Sequence, residues 1–303
     1  MTKPLVLVYP ALPAFEPMLS AFDVVHVADA NAAEARAAIT VGGQGIPNEL
    51  IAQLPNLKLI ACLGVGIDGL DLDFVRSRGI AVTNGQNINQ DDVADVAIGL
   101  LVGVARRFPE GQRALYADQW RLPLAVAPQR RIAGLKLGIV GMGAIGKAIA
   151  RRAEPMLMEI AWTGPHPKPD VKHRYEPNLL ALAQWADVLA LALPGGKNTD
   201  GLIDARVIEA LGADGILINI ARGSIVDEDA LIAALKSGKL GGAGLDVFAQ
   251  EPTPAARWKD VPNVMLTPHL GGGTRESLLG ASLNAVENVR RFFAGEDLLT
   301  PVK

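Results

Sequence analysis

One cysteine, Cys62, stands in 303 residues, so no intrachain disulfide is available and stability has to come from burial. The chain has no excess of positive charge: 29 Lys and Arg face 32 Asp and Glu, a net charge of -3. Its cations are scattered, so neither nucleic acid nor an anionic membrane surface is expected as a partner. No apolar run is long enough to span a bilayer. The longest, Val93 to Ala105, is interrupted by Asp95. The N-terminus passes from Lys3-Pro4 straight into LVLVY without an apolar h-region or a small-residue cleavage site. The expectation is a soluble protein of a reducing compartment, the cytoplasm, with Cys62 as a small buried residue. No metal site is expected.

The chain does carry ample apolar material. Half of the residues are hydrophobic and 20% charged, enough for sizeable cores, and the length favours two domains. From residue 4 to about 90, short β-rich runs (LVLVY, DVVHV, KLIACL, GIAVTN) alternate with stretches of helical composition, among them Leu12 to Ala21 and Asn31 to Ala38. Such alternation predicts a parallel sheet with helices on its faces. Asp91 or Asp92 is expected to cap a long apolar helix, DVADVAIGLLVGVARR, and Arg121 to Arg131 reads as irregular chain. Strands then recur at 136–140, 159–163, 187–193, 215–220, 242–247 and 264–267, and a last helix runs from Thr274 to about Ala294. The prediction is an α/β protein of two doubly wound parallel-sheet domains with a cleft between them. One is a flavodoxin-like substrate domain (1–99 and 285–303), the other a Rossmann dinucleotide-binding domain (100–284).

The stretch LKLGIVGMGAIGKAIARR organises the second domain. A strand, Lys136 to Val140, leads into Gly141, Gly143 and Gly146, and a helix follows. In this strand-turn-helix setting the first glycine permits the turn. The second lets backbone approach a pyrophosphate, and the third packs helix on strand. Met142, Ala144 and Ile145 complete the loop, whose N–H groups and helix dipole suit a diphosphate. A second G-x-G-x-x-G, Gly64-Val65-Gly66 through Gly69, follows the run Lys58 to Leu63. Asp68, Asp71 and Asp73 crowd the helix start expected there and would repel a diphosphate. The N–H groups of Val65 and Gly66 remain suited to a single carboxylate.

Three polar side chains fall just after strands of the second domain. Arg222 offers a fork of donors matched to a carboxylate. His269 stands between Pro268 and a Gly-Gly-Gly run, and Glu251 is placed to hold an imidazole and favour its charged form.

In combination, LGVGIDGLDL (63–72), LGIVGMGAIGKAIA (137–150), INIARGSIVDEDAL (218–231), GAGLDVFAQEP (242–252) and NVMLTPHLGGGT (263–274) resemble the D-isomer-specific 2-hydroxyacid dehydrogenases along essentially the whole chain. DDVADVAIGLL (91–101) and the C-terminal LLTPV are most similar to NADP-linked glyoxylate/hydroxypyruvate and hydroxyphenylpyruvate reductases within that family. The resemblance implies reduction of a 2-oxo acid by hydride transfer. It gives Arg222 the substrate carboxylate and 2-oxo oxygen, His269 the proton, and Glu251 the orientation of His269. It places Leu63, Gly64, Val65 and Gly66 on the substrate, and Ile220, Ala221, Asp246, Gly271 and Gly272 along the cofactor, with Asp246 on the nicotinamide carboxamide. It also implies a homodimer, for which the apolar helix near Leu100 and the arm through Trp120 are candidates. Leu63, Trp120 and Trp258 are candidate neighbours of the substrate's C3 group.

Cofactor choice is read from the residues. An NAD site places an acid about 20 residues beyond the glycines to accept the ribose 2′-hydroxyl. Ile160 to Pro169 contains none, whereas Thr163, Gly164, His166 and Lys168 offer donors to a 2′-phosphate. NADP-linked relatives usually carry Arg where Pro165 stands, so a moderate NADPH preference with some NADH use is expected. The rival reading is a nucleotide-sensing, corepressor-like binding protein on the same fold. It needs peptide-binding tails, which a chain running from first strand to last helix is expected to lack.

Overall fold

The computed structural model describes residues 3–120 and 129–302. Residues 121–128, within the stretch expected to be irregular chain, lie outside the described residues. The chain divides into two compact units, one of Met1–Asn89 with Gly272–Lys303 and one of Gln90–Gly271. Among the described residues no helix is long and apolar enough to cross a membrane.

The first unit holds β1 (Leu5–Tyr9), β2 (Asp23–Val25), β3 (Ala37–Val41), β4 (Leu59–Leu63) and β5 (Ala81–Thr83), all parallel in the order β2-β1-β3-β4-β5. This is the flavodoxin-like order. Strand alternation sorts side chains to two cores. Val6, Val8, Ile39, Leu59 and Ala61 pack with Phe15, Leu19, Ala285 and Val289; Leu7, Ala38, Ile60 and Cys62 pack with Ile51, Leu54 and Val75. The helix Arg275–Ala294 therefore belongs here. Thr274 caps its start through Ser277 N–H, and Gly295 ends it in the left-handed region. Its buried Asn284 and Asn288 tie the last residues to the sheet: Asn284 donates to Asn84 O at 3.0 Å, and Asn288 accepts from Leu299 N at 2.9 Å. Burial pushes the Cys62 thiol up to about 12, which makes it the inert packing residue its run implies.

β3 corrects the helix expected over Asn31 to Ala38, where only a short 3-10 turn, Ala32–Glu34, forms. Helix propensities differ by at most about 0.7 kcal/mol per ordinary residue. Full burial of a side chain such as Ile39 yields roughly 1.5–3 kcal/mol. Burial between β1 and β4 therefore overrides the alanine-rich local preference. Leu12 to Ala21 likewise reduces to a single turn, Glu16–Leu19.

The second unit contains β6 (Lys136–Val140), β7 (Glu159–Thr163), β8 (Arg174–Tyr175), β9 (Val188–Leu191), β10 (Ile216–Asn219), β11 (Gly242–Leu245) and β12 (Val264–Leu266). All are parallel, in the order β12-β11-β10-β9-β6-β7-β8. From β8 to β11 this is the dinucleotide-binding order, reversing between β6 and β9, with β12 added at the edge. One face is covered by the helices Gln90–Ala105 and Ala144–Ala153, the other by Leu179–Trp185, Ala205–Leu211 and Glu228–Ser237.

The helix Gln90–Ala105 lies wholly in the second unit, so the chain crosses at Asn89–Gln90 and again at Gly271–Gly272 rather than near 99 and 284. Its apolar side sits so close on β11 that a Cβ at Gly244 would meet Leu100 Cβ at 2.7 Å. Leu100 is thus internal packing and not an interface residue. Asp91 and Asp92 occupy the first turn rather than the cap. Asp91 pairs with Arg151 and Arg152, and Asp95 accepts from Arg152 Nε at 2.6 Å, which joins this helix to the one that follows β6. Arg152, hydrogen-bonded to Asp91, holds the Asp91 carboxyl below its ordinary value.

Candidate active site

The glycine turn leaves β6 beside β9, at the point where strand order reverses. Gly141 has φ 96°, and a Cβ there would meet Ala192 O at 2.5 Å. At Gly146 a Cβ would meet Gly141 O at 2.1 Å, because the helix packs directly on the turn. Gly143 faces open space and precedes a helix with no side-chain cap and no acid in its first turn. The N–H groups of Ala144 and Ile145 have no acceptor within the helix. This turn fits a pyrophosphate: its two crowded glycines shape it, and the third leaves the approach clear. Met142 is buried and contributes its carbonyl to the loop surface.

At the end of β7, Thr163 is buried and Gly164 O accepts from Tyr175 Oη at 2.8 Å. Lys168 Nζ donates to Met142 O at 2.9 Å, so this cation is held against the glycine turn. His166 is exposed, with no polar partner among the described residues. The first acid beyond the strand is Asp170, which pairs with Lys147 on the fingerprint helix.

The ends of β10, β11 and β12 carry the remaining polar groups on the same edge of the sheet. Beyond β10, buried Asn219 accepts from Ala221 N at 3.0 Å and donates to Arg222 O at 2.9 Å, folding the loop back on itself. Arg222 is half-buried, and its Nη1 donates to Ala221 O at 2.6 Å. The neighbouring Gly223 allows a close approach: a Cβ would meet the Phe248 carbonyl carbon at 1.8 Å. Gly223→Ala is therefore expected to displace the Arg222 loop. Activity should fall more than about tenfold, since small misplacements of a positioning group are costly. Steady-state kinetics beside a thermal melt checks this, and an active variant of unchanged kcat/KM contradicts it.

Beyond β11, Asp246 is 1% exposed, yet its carboxylate accepts from Thr267 Oγ1 at 2.6 Å, Leu270 N at 2.7 Å and Gly271 N at 2.8 Å. His269 N also donates to Asp246 O at 2.8 Å. Asp246 thus clamps the loop after β12, and the Gly271 N–H is spent inside the protein. His269 sits at φ 53°, a conformation unusual outside glycine, and the surrounding bonds hold it there. Its Nδ1 lies 2.7 Å from Glu251 Oε2, while Glu251 Oε1 accepts from Phe248 N at 2.9 Å. The carboxylate fixes the Nδ1–H tautomer and leaves Nε2 without a partner among the described residues.

In the first unit Leu63 ends β4, and Gly64, at φ 84°, accepts from Gly85 N at 2.6 Å. Val65 O accepts from Asn84 Nδ2 at 2.7 Å, and among the described residues nothing accepts from the N–H groups of Val65 and Gly66. Helix begins only at Leu72, capped by Asp71 through Phe74 N at 3.0 Å, so this second glycine set is a turn and not a strand-turn-helix fingerprint. Gly272 faces Asn89, where a Cβ would meet Nδ2 at 2.7 Å.

Ile220 and Ala221 are buried supports of the Arg222 loop. Trp258 is not a pocket residue: it is buried against Phe248, ring centroids 5.7 Å apart, with its indole N–H on Thr253. Trp120 is 74% exposed. Sequence reasoning missed Asn219, Gly223 and Thr267. A polar residue closing the apolar run ILIN was the one signal for Asn219.

The sheet order and the glycine turn define the second unit as a dinucleotide-binding domain. The chain belongs to the D-isomer-specific 2-hydroxyacid dehydrogenases, whose NAD binding domain matches residues 98–271. A 2-ketogluconate reductase of Gluconobacter oxydans is 42% identical over 88% of this chain and 86% of its own length. A glyoxylate/hydroxypyruvate reductase A of Arabidopsis thaliana is 41% identical over 88% and 85%. Among solved structures, an NADPH-dependent glyoxylate/hydroxypyruvate reductase from Sinorhizobium meliloti, in complex with NADP and malonate, superposes with a TM-score of 0.92. It is 34% identical, with 99% of this chain and 97% of that one covered.

Proposed function

We propose that this protein is an NADPH-preferring reductase of small 2-oxo acids, yielding D-2-hydroxy acids, with His269 as proton donor. The observation that carries the reading is the 2.7 Å bond between His269 Nδ1 and Glu251, on the sheet edge that also bears the glycine turn. A nicotinamide held by the glycine turn would supply the hydride for the 2-oxo carbon. His269 Nε2 gives a proton to the oxygen that becomes the hydroxyl, while the Nδ1–H stays on Glu251. Arg222 holds the substrate carboxylate and takes up charge developing on that oxygen. The Val65 and Gly66 N–H groups of the first unit are assigned to a substrate carboxylate as well. Asp246 holds the loop that carries His269, and its remaining acceptor capacity is assigned to the nicotinamide carboxamide.

The decisive assay is absorbance of NADPH and NADH during incubation with glyoxylate, hydroxypyruvate, phenylpyruvate, pyruvate and 2-ketogluconate. No turnover of any 2-oxo acid with either cofactor overturns the proposal. For the cofactor, Lys168→Ala is expected to raise the Michaelis constant for NADPH roughly threefold to tenfold and leave that for NADH nearly unchanged, since an exposed cation on a phosphate is a modest, screened attraction. An equal effect on both cofactors contradicts that role.

The proposed assembly is a homodimer in the cytoplasm. Support for the dimer comes from Phe108, Leu115, Tyr116 and Trp120, which lie close in sequence and are more than half exposed. Light scattering of Leu115→Glu against the parent tests it, and an unchanged mass excludes this surface. The single, buried cysteine supports the compartment.

A further inference from the structure

The loop after β7 is pinned to its surroundings at three points. Tyr175 holds Gly164 O, Lys168 holds Met142 O, and Asp170 pairs with Lys147. The third contact is unlike the other two, because it joins two formal charges across an exposed edge of the nucleotide site. Lys147 is the fourth residue of the helix Ala144–Ala153, close to the end where a cation is disfavoured by the helix dipole. A lysine in that turn calls for an anion nearby, and the only one the chain provides there among the described residues is Asp170. Its carboxyl is held below the ordinary range chiefly by the Lys147 hydrogen bond, and the Lys168 charge is close enough to contribute. Lys147, on the fingerprint helix, thus pairs with Asp170, while Lys168, on the loop after β7, is bonded to Met142 O of the fingerprint turn. Both partners in the ion pair are well exposed, 42% for Lys147 and 63% for Asp170, so the pair is easily exchanged for a stronger anion.

We propose that Lys147 and Lys168 together form the cation set for a phosphate on the adenosine ribose, and that Asp170 is an internal counter-anion that competes with it and so limits selectivity for the phosphorylated cofactor. The inference rests on the NADPH reading above and adds to it two residues, Lys147 and Asp170. A dianionic phosphate outcompetes a monoanionic carboxylate for Lys147, and the carboxylate left beside it repels it. A nucleotide without that phosphate leaves the Lys147–Asp170 pair in place. The selectivity cost of Asp170 falls on one cofactor alone.

The test is calorimetric titration of the full chain with adenosine 2′,5′-bisphosphate and with 5′-AMP, at low and high salt, in the parent, Asp170→Asn and Lys147→Met. Asp170→Asn should tighten the bisphosphate about threefold to tenfold at low salt, less at high salt, with 5′-AMP within about twofold. Lys147→Met should weaken the bisphosphate and leave 5′-AMP unchanged. Unchanged or weaker bisphosphate binding in Asp170→Asn overturns the proposal, as does an equal change for both probes. Weaker 5′-AMP binding in Asp170→Asn also overturns it, for that is the result if Asp170 instead accepts the ribose 2′-hydroxyl. Turnover is the separate readout for the broader reading. If the parent reduces 2-oxo acids with NADH in preference to NADPH, the cofactor assignment falls, while the binding ratios still decide the role of Asp170.

Discussion

Arg222→Ala is expected to lower kcat/KM for the best 2-oxo acid by about 10³-fold or more, the loss typical of removing a donor to a developing oxyanion, with a substrate anchor lost as well. Binding of adenosine 2′,5′-bisphosphate should stay within about twofold, because a contact made to substrate alone leaves nucleotide affinity in place. The geometry behind this is local. Asn219 grips the backbone on both sides of Arg222, and Gly223 lies directly against the Phe248 backbone, so the guanidinium leaves a rigid loop. The fork is therefore presented in one place. Arg222→Lys keeps the charge but not the planar pair of donors, and should recover only a small part of the lost rate. Equal losses of turnover and nucleotide binding would mean that Arg222 serves the nucleotide or the fold, and the assignment to substrate would be withdrawn.

His269→Gln should reduce kcat by about 10²- to 10⁴-fold, the span of a general acid, with a smaller effect on nucleotide binding. The companion variants, Glu251→Gln and Glu251→Ala, test the orientation of the ring. Glutamine can still accept from Nδ1–H, whereas alanine leaves the ring without its partner, so Glu251→Gln should keep more of the parent's kcat than Glu251→Ala. A Glu251→Ala enzyme with the kcat of the parent refutes the pairing as what positions His269. Replacing Glu251 also removes the acceptor for Phe248 N, so a thermal melt belongs beside the kinetics.

The same comparison of local and distant causes separates what was legible in the sequence from what was not. The strand-turn-helix at Lys136 to Ala153 was legible because two of its demands are local: Gly146 has to clear Gly141 O, and Gly141 takes a φ of 96° in the turn. The catalytic candidates were legible because polar residues that close apolar runs fall at strand ends. What that reading lacked were partners far along the chain. Asn31 to Ala38 looks helical on composition, and it is a central strand because β1 and β4 exist to receive it. Leu100 looks like a surface for a partner and is packing against Gly244. Trp258 looks like a pocket wall and is buried on Phe248.

By itself the sequence determined the class: an α/β chain with a dinucleotide turn, a carboxylate-paired histidine and an arginine at strand ends, and no acid where a ribose hydroxyl is usually read. Local backbone chemistry and residue type suffice for those features. Only the tertiary structure decided which groups are already engaged. Asp246 spends its carboxylate on the loop of His269, Lys168 is held on Met142, and Lys147 is matched by Asp170. The reason is physical: a hydrogen bond or an ion pair depends on distance in space, and these partners stand 21 to 26 residues apart in the chain.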